Sequence, residues 1–153
     1  MAQIEKTVVL IKPDGIQRGL VGEITRRFEM KGLKLVGTKM MRLDNPLLEE
    51  HYAHIADKPF FPGLRDFMKS SPIVAQCWEG FDAANAVRVV AGVTNAREAD
   101  GGTIRGDLAM SLSNNVIHCS DSPENAEIEV RRFFQDEELF DYDKSEWMHV
   151  YNI

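Results

Sequence analysis

The apolar positions of the chain fall into short blocks of two periods. Thr7 to Ile11 is an unbroken apolar, largely β-branched run, which predicts a buried strand. It stops at Lys12-Pro13-Asp14-Gly15, a turn signal that puts Lys12 where strand hands over to loop. Val21, Ile24 and Phe28 recur at helical spacing, with Lys31 in the last turn and Gly32 placed to terminate. Leu33, Leu35, Met41 and Leu43 alternate as in a half-buried strand. Asn45-Pro46 reads as an N-cap followed by proline at the first helical position, opening a helix that carries Leu48, Tyr52 and Ile55. A short helix is expected from Gly63 to Ser70 and a strand from Ile73 to Trp78. Asp82 is placed to cap a helix through Val87 and Ala91 that stops at Gly92.

Gly92 to Asn115 is long, polar and glycine-bearing, and loops of that kind in compact domains are often functional. Val116 to Cys119 is a short strand, and Ser122-Pro123 opens a capped helix with Ala126, Val130 and Phe133 at core spacing. The tail, about 134–153, holds Phe140, Tyr142, Trp147 and Tyr151, so it is expected to pack on its own domain or on a neighbouring subunit. The order β-α-β-α-α-β-α-β-α predicts an α/β (α+β sandwich) fold. Its expected core is a ferredoxin-like four-stranded antiparallel sheet, βαββαβ, with helices on one face.

Composition narrows the setting. A chain of 153 residues, 44% hydrophobic and 27% charged, suits one domain over residues 1–153. The net charge of -6 gives no long-range attraction to nucleic-acid phosphates, so strong nucleic-acid binding is not expected. No apolar run approaches the ~20 residues that span a bilayer. Met1 to Lys6 shows no secretory pattern, so a cytoplasmic protein is expected. Cys77 and Cys119 make neither a disulfide framework nor a zinc site and read as free thiols.

The chain has neither of the common glycine-rich phosphate loops, so any phosphate must be held by side chains. Lys12, Arg88 and Arg105 stand beside loops, and guanidinium groups grip phosphate oxygens in pairs. Taken singly, each also reads as a solvated surface charge. His118 interrupts an apolar strand segment, where a histidine is more often packed than reactive. A histidine nucleophile needs one ring nitrogen free and the other held by an acceptor. Glu129, on the following helix, could supply that acceptor with Ser120 steadying it; alone it reads as an exposed helix carboxylate.

Several motifs, taken in order, resemble nucleoside diphosphate kinase. They are Lys12-Pro13-Asp14-Gly15, Arg18-Gly19-Leu20-Val21-Gly22, Pro59-Phe60-Phe61, Trp78-Glu79-Gly80, Thr94-Asn95, Gly102-Thr103-Ile104-Arg105-Gly106-Asp107 and Asn115-x-x-His118-x-Ser120-Asp121-Ser122. The resemblance runs across nearly the whole chain. It implies an enzyme that moves the γ-phosphate of ATP and other nucleoside triphosphates to nucleoside diphosphates, by ping-pong transfer through phosphohistidine at His118. Lys12, Arg88, Thr94 and Arg105 would hold the phosphates, Lys12 and Asn115 the ribose, and Phe60 would stack on the base. Tyr52 would flank His118, and Glu129 with Ser120 would orient it. Mg2+ would arrive on the nucleotide phosphates without a dedicated protein cage. The rival expectation is a non-catalytic ferredoxin-like regulatory or nucleic-acid-binding module. Arg105-Gly106-Asp107 also looks like a cell-adhesion motif, read here as coincidence.

Four positions depart from the family pattern. Cys119 stands where glycine is expected, which predicts crowding or oxidation sensitivity beside the nucleophile. Ala96 replaces a proline in the long loop, which predicts a looser assembly, and Gly102 stands at another position where proline is common, which adds freedom to the loop. Leu108 replaces phenylalanine, a packing change. The resemblance implies a homo-oligomer, with the aromatic tail favouring a hexamer over a tetramer.

Overall fold

The first apolar run forms the strand its pattern requires, and pairing extends it. The computed structural model describes residues 3–152; of the N-terminal stretch and the expected domain span, Met1, Ala2 and Ile153 lie outside them. In chain order the elements are β1 (Ile4–Ile11), α1 (Pro13–Gln17), α2 (Val21–Lys31), β2 (Lys34–Met41), α3 (Asn45–His51) and α4 (Phe61–Lys69). They continue with β3 (Ile73–Phe81), α5 (Ala83–Ala91), α6 (Ile104–Leu108), β4 (Ile117–Cys119), α7 (Pro123–Phe133) and α8 (Trp147–Val150). β1 begins three residues before the apolar run, at Ile4, because Ile4 to Lys6 pair with Phe81 to Glu79 of β3.

The sheet is antiparallel in the order β2-β3-β1-β4, the expected ferredoxin-like arrangement. Side-chain alternation divides its core in two. Val9, Ile11, Val74 and Trp78 pack against Ile24 and Phe28 of α2 and Val87 and Ala91 of α5. Val8, Leu10, Ala75 and Cys77 pack against Leu48 of α3, Met68 of α4 and Val130 and Phe133 of α7. Helices therefore cover both faces rather than one. β1 and β3 are buried along most of their length, and a continuous apolar run of that kind has two faces to cover.

Local signals held with small shifts. Lys12-Pro13-Asp14-Gly15 is the entry to α1 rather than a turn: Lys12 occupies the N-cap and Pro13 starts the helix. Asp44, not Asn45, caps α3, accepting from Leu47 N at 2.9 Å. α3 ends at His51, so Tyr52 and Ile55 lie in the turns beyond it. Asp82 precedes α5 with φ of 54° and makes no side-chain cap; Glu5 Oε1 of β1 accepts from Ala84 N instead. The long loop contains α6, capped by Thr103 Oγ1 accepting from Gly106 N. Among the described residues, no helix is long and apolar enough to cross a membrane.

The aromatic tail packs on its own chain, against edge strand β2. A register shift between Leu35 and Gly37 frees the Val36 carbonyl, which accepts from Phe140 N at 2.8 Å. Tyr142 Oη donates to Leu35 O, and Trp147 Nε1 donates to Gly32 O. Buried Lys34 ties these pieces together. Its Nζ donates to Tyr142 O, pairs with Glu79 at 2.9 Å and lies 5.1 Å from the ring centres of Tyr142 and Trp147. Such a tail covers strand edges that would otherwise invite pairing. Replacing Lys34 with methionine leaves Glu79 with Lys6 alone and removes one anchor of the tail. The expected loss is about 1–3 kcal/mol in urea melts, with a red shift of tryptophan fluorescence; unchanged melts would show that the tail docks without Lys34.

Candidate active site

A three-residue edge strand places the histidine. β4 pairs only with β1 among the described strands, setting His118 opposite Leu10 and Cys119 opposite Val9. Alternation turns Ile117 and Cys119 into the α2/α5 core and His118 to the other side, toward α7. α7 starts at Pro123 under the Ser122 cap, whose Oγ accepts from Asn125 N. Its core face carries Ala126, Val130 and Phe133, and Glu129 falls on that same buried face.

The result is a fixed imidazole. His118 Nε2 lies 2.9 Å from Glu129 Oε1, and Ser120 Oγ donates to the same oxygen at 2.6 Å. Burial alone would raise the Glu129 carboxyl. The hydrogen bond and charge of His118 and the Ser120 hydroxyl outweigh it and pull the group down to about 2. An ionised Glu129 makes Nε2 the protonated nitrogen of a neutral His118. Among the described residues, no protein group is hydrogen bonded to Nδ1, which is left to accept or attack.

The opposite wall comes from the long loop, and Arg105 organises it. The side chain is buried, donating to the carbonyls of Gly92 (3.0 Å), Ile117 (2.7 Å) and Asn115 (3.4 Å). It thus ties both ends of the loop together. Asn115 Nδ2 donates to the Thr94 and Leu112 carbonyls, and Lys12 Nζ donates to Asn115 Oδ1 at 2.8 Å and to Ser113 O at 2.7 Å. Beneath them Val116, a β-branched residue, holds φ of 65°, where side chains are strained. Lys12 N donates to its carbonyl and its own N–H donates to Asp14 Oδ2, so two bonds enforce the strained turn. Gly15 permits the approach, since a β-carbon there would come within 3.1 Å of the Val116 oxygen.

Between these walls lies a cleft of about 820 Å3, sized for a small ligand. Its lining brings together Lys12, Tyr52, Phe60, Arg88, Thr94, Arg105, Asn115 and His118 from six separate stretches of the chain. Glu129 and Ser120 sit behind the histidine. Three cations face a single lining carboxylate, Asp121, and Arg88 makes no ion pair among the described residues. Burial lowers the Lys12 amine to about 8, opposed by Asp14 and assisted by Arg105. An excess of unpaired cations in one cleft suits a polyanion. Phe60, 58% exposed, and Leu112, 61% exposed, stand at the mouth as apolar surfaces.

Sequence reasoning missed His51, Arg132 and Asp14. His51 is buried behind His118, with ring centres 4.6 Å apart, and its Nδ1 accepts from Arg132 Nη1 at 2.9 Å. Nothing in the chain marked it except its place beside Tyr52. His51, His118 and Glu129 lie close enough to ring a metal ion, yet their own hydrogen bond and the adjacent guanidinium make them a polar network. Cys119 does line the cleft beside His118, but its side chain is buried and burial raises its thiol against the pull of Arg105 and Arg88, which speaks against the expected oxidation sensitivity. Gly102 holds φ of 95° and donates to Asp107 Oδ1, neither of which proline allows. The buried Arg105 also removes its tripeptide from presentation as an adhesion motif.

The network makes stability depend on acid. Burial, with the adjacent His118, holds His51 at about 3 against an ordinary 6.5. Unfolded chain therefore takes up a proton near 6.5 that the folded chain refuses, and stability falls as pH drops through that window. Glu129, at about 2 against 4.5, contributes stability above 4.5 that is lost as pH falls toward 2. Urea midpoints should decline from about pH 7 to about pH 4, with a shallower decline in His51→Asn. A slope unchanged by the substitution would remove His51 as the source.

Comparison with known proteins gives the same direction. Residues 5–139 match the family described as Nucleoside diphosphate kinase. A nucleoside diphosphate kinase from Parabacteroides distasonis is 53% identical over 97% of this chain and 97% of its own. Nucleoside diphosphate kinase A from Homo sapiens is 51% identical over 93% of each chain. A halophilic nucleoside diphosphate kinase from Halobacterium salinarum, solved in complex with CDP, superposes with a TM-score of 0.94. It is 50% identical and covers 97% of this chain and 99% of that one.

Proposed function

Because the chain belongs to the nucleoside diphosphate kinase family, we propose that its transfer of a phosphoryl group between nucleoside tri- and diphosphates runs through His118. The observation that carries this is the imidazole itself: one nitrogen is held by Glu129, and the other has no partner among the described residues and stands beside a cleft rich in cations. In the first half-reaction the Nδ1 lone pair attacks the γ-phosphorus. The N–P bond forms as the bond to the bridging oxygen breaks, and the diphosphate leaves with the electron pair. The Nε2 proton stays in its bond to Glu129, whose negative charge offsets the charge developing on the ring. A second diphosphate, ATP having been the first donor, reverses the step and collects the phosphoryl group. A non-catalytic regulatory or nucleic-acid-binding module is not favoured by relatives that share the enzyme's name over nearly the whole chain.

The remaining roles follow from where the groups sit. Lys12, Arg88, Arg105 and Thr94 would hold the phosphates, with Arg105 doing so from a guanidinium already anchored on the loop. Asn115 keeps one lone pair on Oδ1 for a ribose hydroxyl, since its amide hydrogens are taken. Phe60 offers a face to any base. Tyr52 flanks the histidine from beyond α3, and Ser120 steadies Glu129. The lining suits phosphate oxygens better than a bare dication. The required divalent ion, Mg2+, would enter on the nucleotide and neutralise phosphate charge there, with Asp121 the one carboxylate in the described lining. The tail belongs to the same single domain as the sheet it covers. A homo-oligomer, hexamer before tetramer, is our reading of assembly; Met40 and Phe140, both highly exposed along β2, support a further contact there. Free, buried thiols fit a cytoplasmic setting.

Incubation with γ-labelled ATP and Mg2+, without acceptor, should leave an acid-labile, base-stable label on the wild type and none on His118→Gln. Glu129→Gln should fold and bind nucleotide but form the label about tenfold or more slowly. An unlabelled wild type would sink the reading, and an unchanged rate in Glu129→Gln would remove that residue from it. With Lys12 near 8, the positive charge disappears as pH rises through that value. The kcat/KM profile should therefore fall above about pH 8, whereas Lys12→Arg, less active, should stay flat there. A bound polyphosphate favours the charged amine, so the limb should move to higher pH in kcat. A flat wild-type profile would separate Lys12 from the phosphates.

A further inference from the structure

Beside the nucleotide cleft, sharing Tyr52, His118, Cys119 and Asp121 with it, lies a second cavity of about 360 Å3. Its lining includes His51, His54, His118, Glu129 and Arg132. Arg132 follows Glu129 on α7 at the i,i+3 spacing at which side chains of a helix meet. An ionised carboxylate binds a guanidinium more strongly than a neutral imidazole does. Yet among the described residues Arg132 makes no ion pair with Glu129. Its Nη1 donates to His51 Nδ1 at 2.9 Å, and its Nε lies 3.5 Å from Glu50 Oε1.

His51 is built to hold that guanidinium. Its side chain is only 3% exposed, and its ring meets His118, Tyr52 and Phe133 edge to face, with centres 4.6, 4.7 and 5.1 Å apart. Accepting at Nδ1 places its proton on Nε2, which finds no partner among the described residues. Glu129 Oε2 lies 3.9 Å from the same Nδ1, so carboxylate and guanidinium both approach one acceptor atom. Were Arg132 to swing onto Glu129, the carboxylate charge would be shared and its bond to His118 Nε2–H weakened. The imidazole would then be a poorer nucleophile at Nδ1.

We propose that His51 is a positioning residue of the phosphotransfer, holding Arg132 off Glu129 so that the carboxylate stays committed to His118. This rests on His118 being the nucleophile. Charged and titratable groups facing His51 are His118, Glu129, Arg132 and His54.

Single-turnover phosphorylation of the full chain by γ-labelled ATP and Mg2+ tests it in four forms: wild type, His51→Leu, Arg132→Met and the double variant. His51→Leu should form phosphohistidine about tenfold or more slowly while nucleotide affinity stays within about twofold. Adding Arg132→Met should bring the rate back to within about threefold of Arg132→Met alone, because the competing guanidinium is gone. A His51→Leu as fast as wild type overturns the proposal. So does a double variant as slow as His51→Leu, since loss of ring packing alone would not be relieved by removing Arg132. A wild type that takes no label overturns the reading of His118 itself, and the two failures are therefore distinct. Nitrogen NMR of the wild type decides even if His51→Leu does not fold. Nδ1 bare and Nε2 protonated through neutral pH is expected, and the reverse tautomer would overturn the proposal.

Discussion

A buried guanidinium underlies the whole site. Arg105 donates to three carbonyls at the two ends of the segment between α5 and β4. A cation taken out of water is costly unless its hydrogens are satisfied, so the loop must close around it. That closure sets Asn115 against Thr94 and Leu112, and Asn115 with Ser113 then receives Lys12. The strained turn at Val116 follows from the same closure, held from below by Lys12 N and Asp14. A long polar loop thereby becomes a rigid wall of a cleft, and its anchor is also one of the cations that line it.

The second wall depends on the pleat. Alternation along β4 sets His118 and its neighbours toward opposite layers, and His118 meets Glu129 of α7. The helix behind the sheet is thus what turns a strand histidine into an oriented one: Glu129 rides on the buried face of α7 among Val130 and Phe133. Covering the second face of the sheet is a requirement of the core, and the carboxylate that holds His118 rides on that cover. The layers of the fold and the chemistry of the site are one arrangement.

The departures from the family pattern resolve as packing. Cys119 packs with the α2/α5 core and is buried, and it also lines the cleft beside Arg88 and Arg105. Gly102 takes a left-handed conformation that proline lacks, and Asp107 holds its amide. Ala96 is buried and bonded to Ser111 O. The loop is tied by hydrogen bonds at the points where prolines would have stiffened it.

Much of this was legible in the chain. Apolar runs located every strand, proline and hydroxyl signals located α3 and α7, and ordered motifs brought Lys12, Arg88, Thr94, Arg105, Asn115 and His118 to one chemistry. Those signals are local or carried by resemblance, and they do not depend on knowing which elements touch. What the sequence could not show was mutual placement: the covered second face, the capping of α5 by Glu5, the tail on the Val36 bulge, and His51 between Arg132 and His118. By itself the sequence located the four strands and the longer helices and carried the resemblance to the family, because these are written in spacing and identity. Only the tertiary structure decided which nitrogen of His118 is free, where Cys119 points and which partner Arg132 takes. Each of those is an outcome of competition among groups far apart in the chain, settled by burial and by who lies within hydrogen-bond reach.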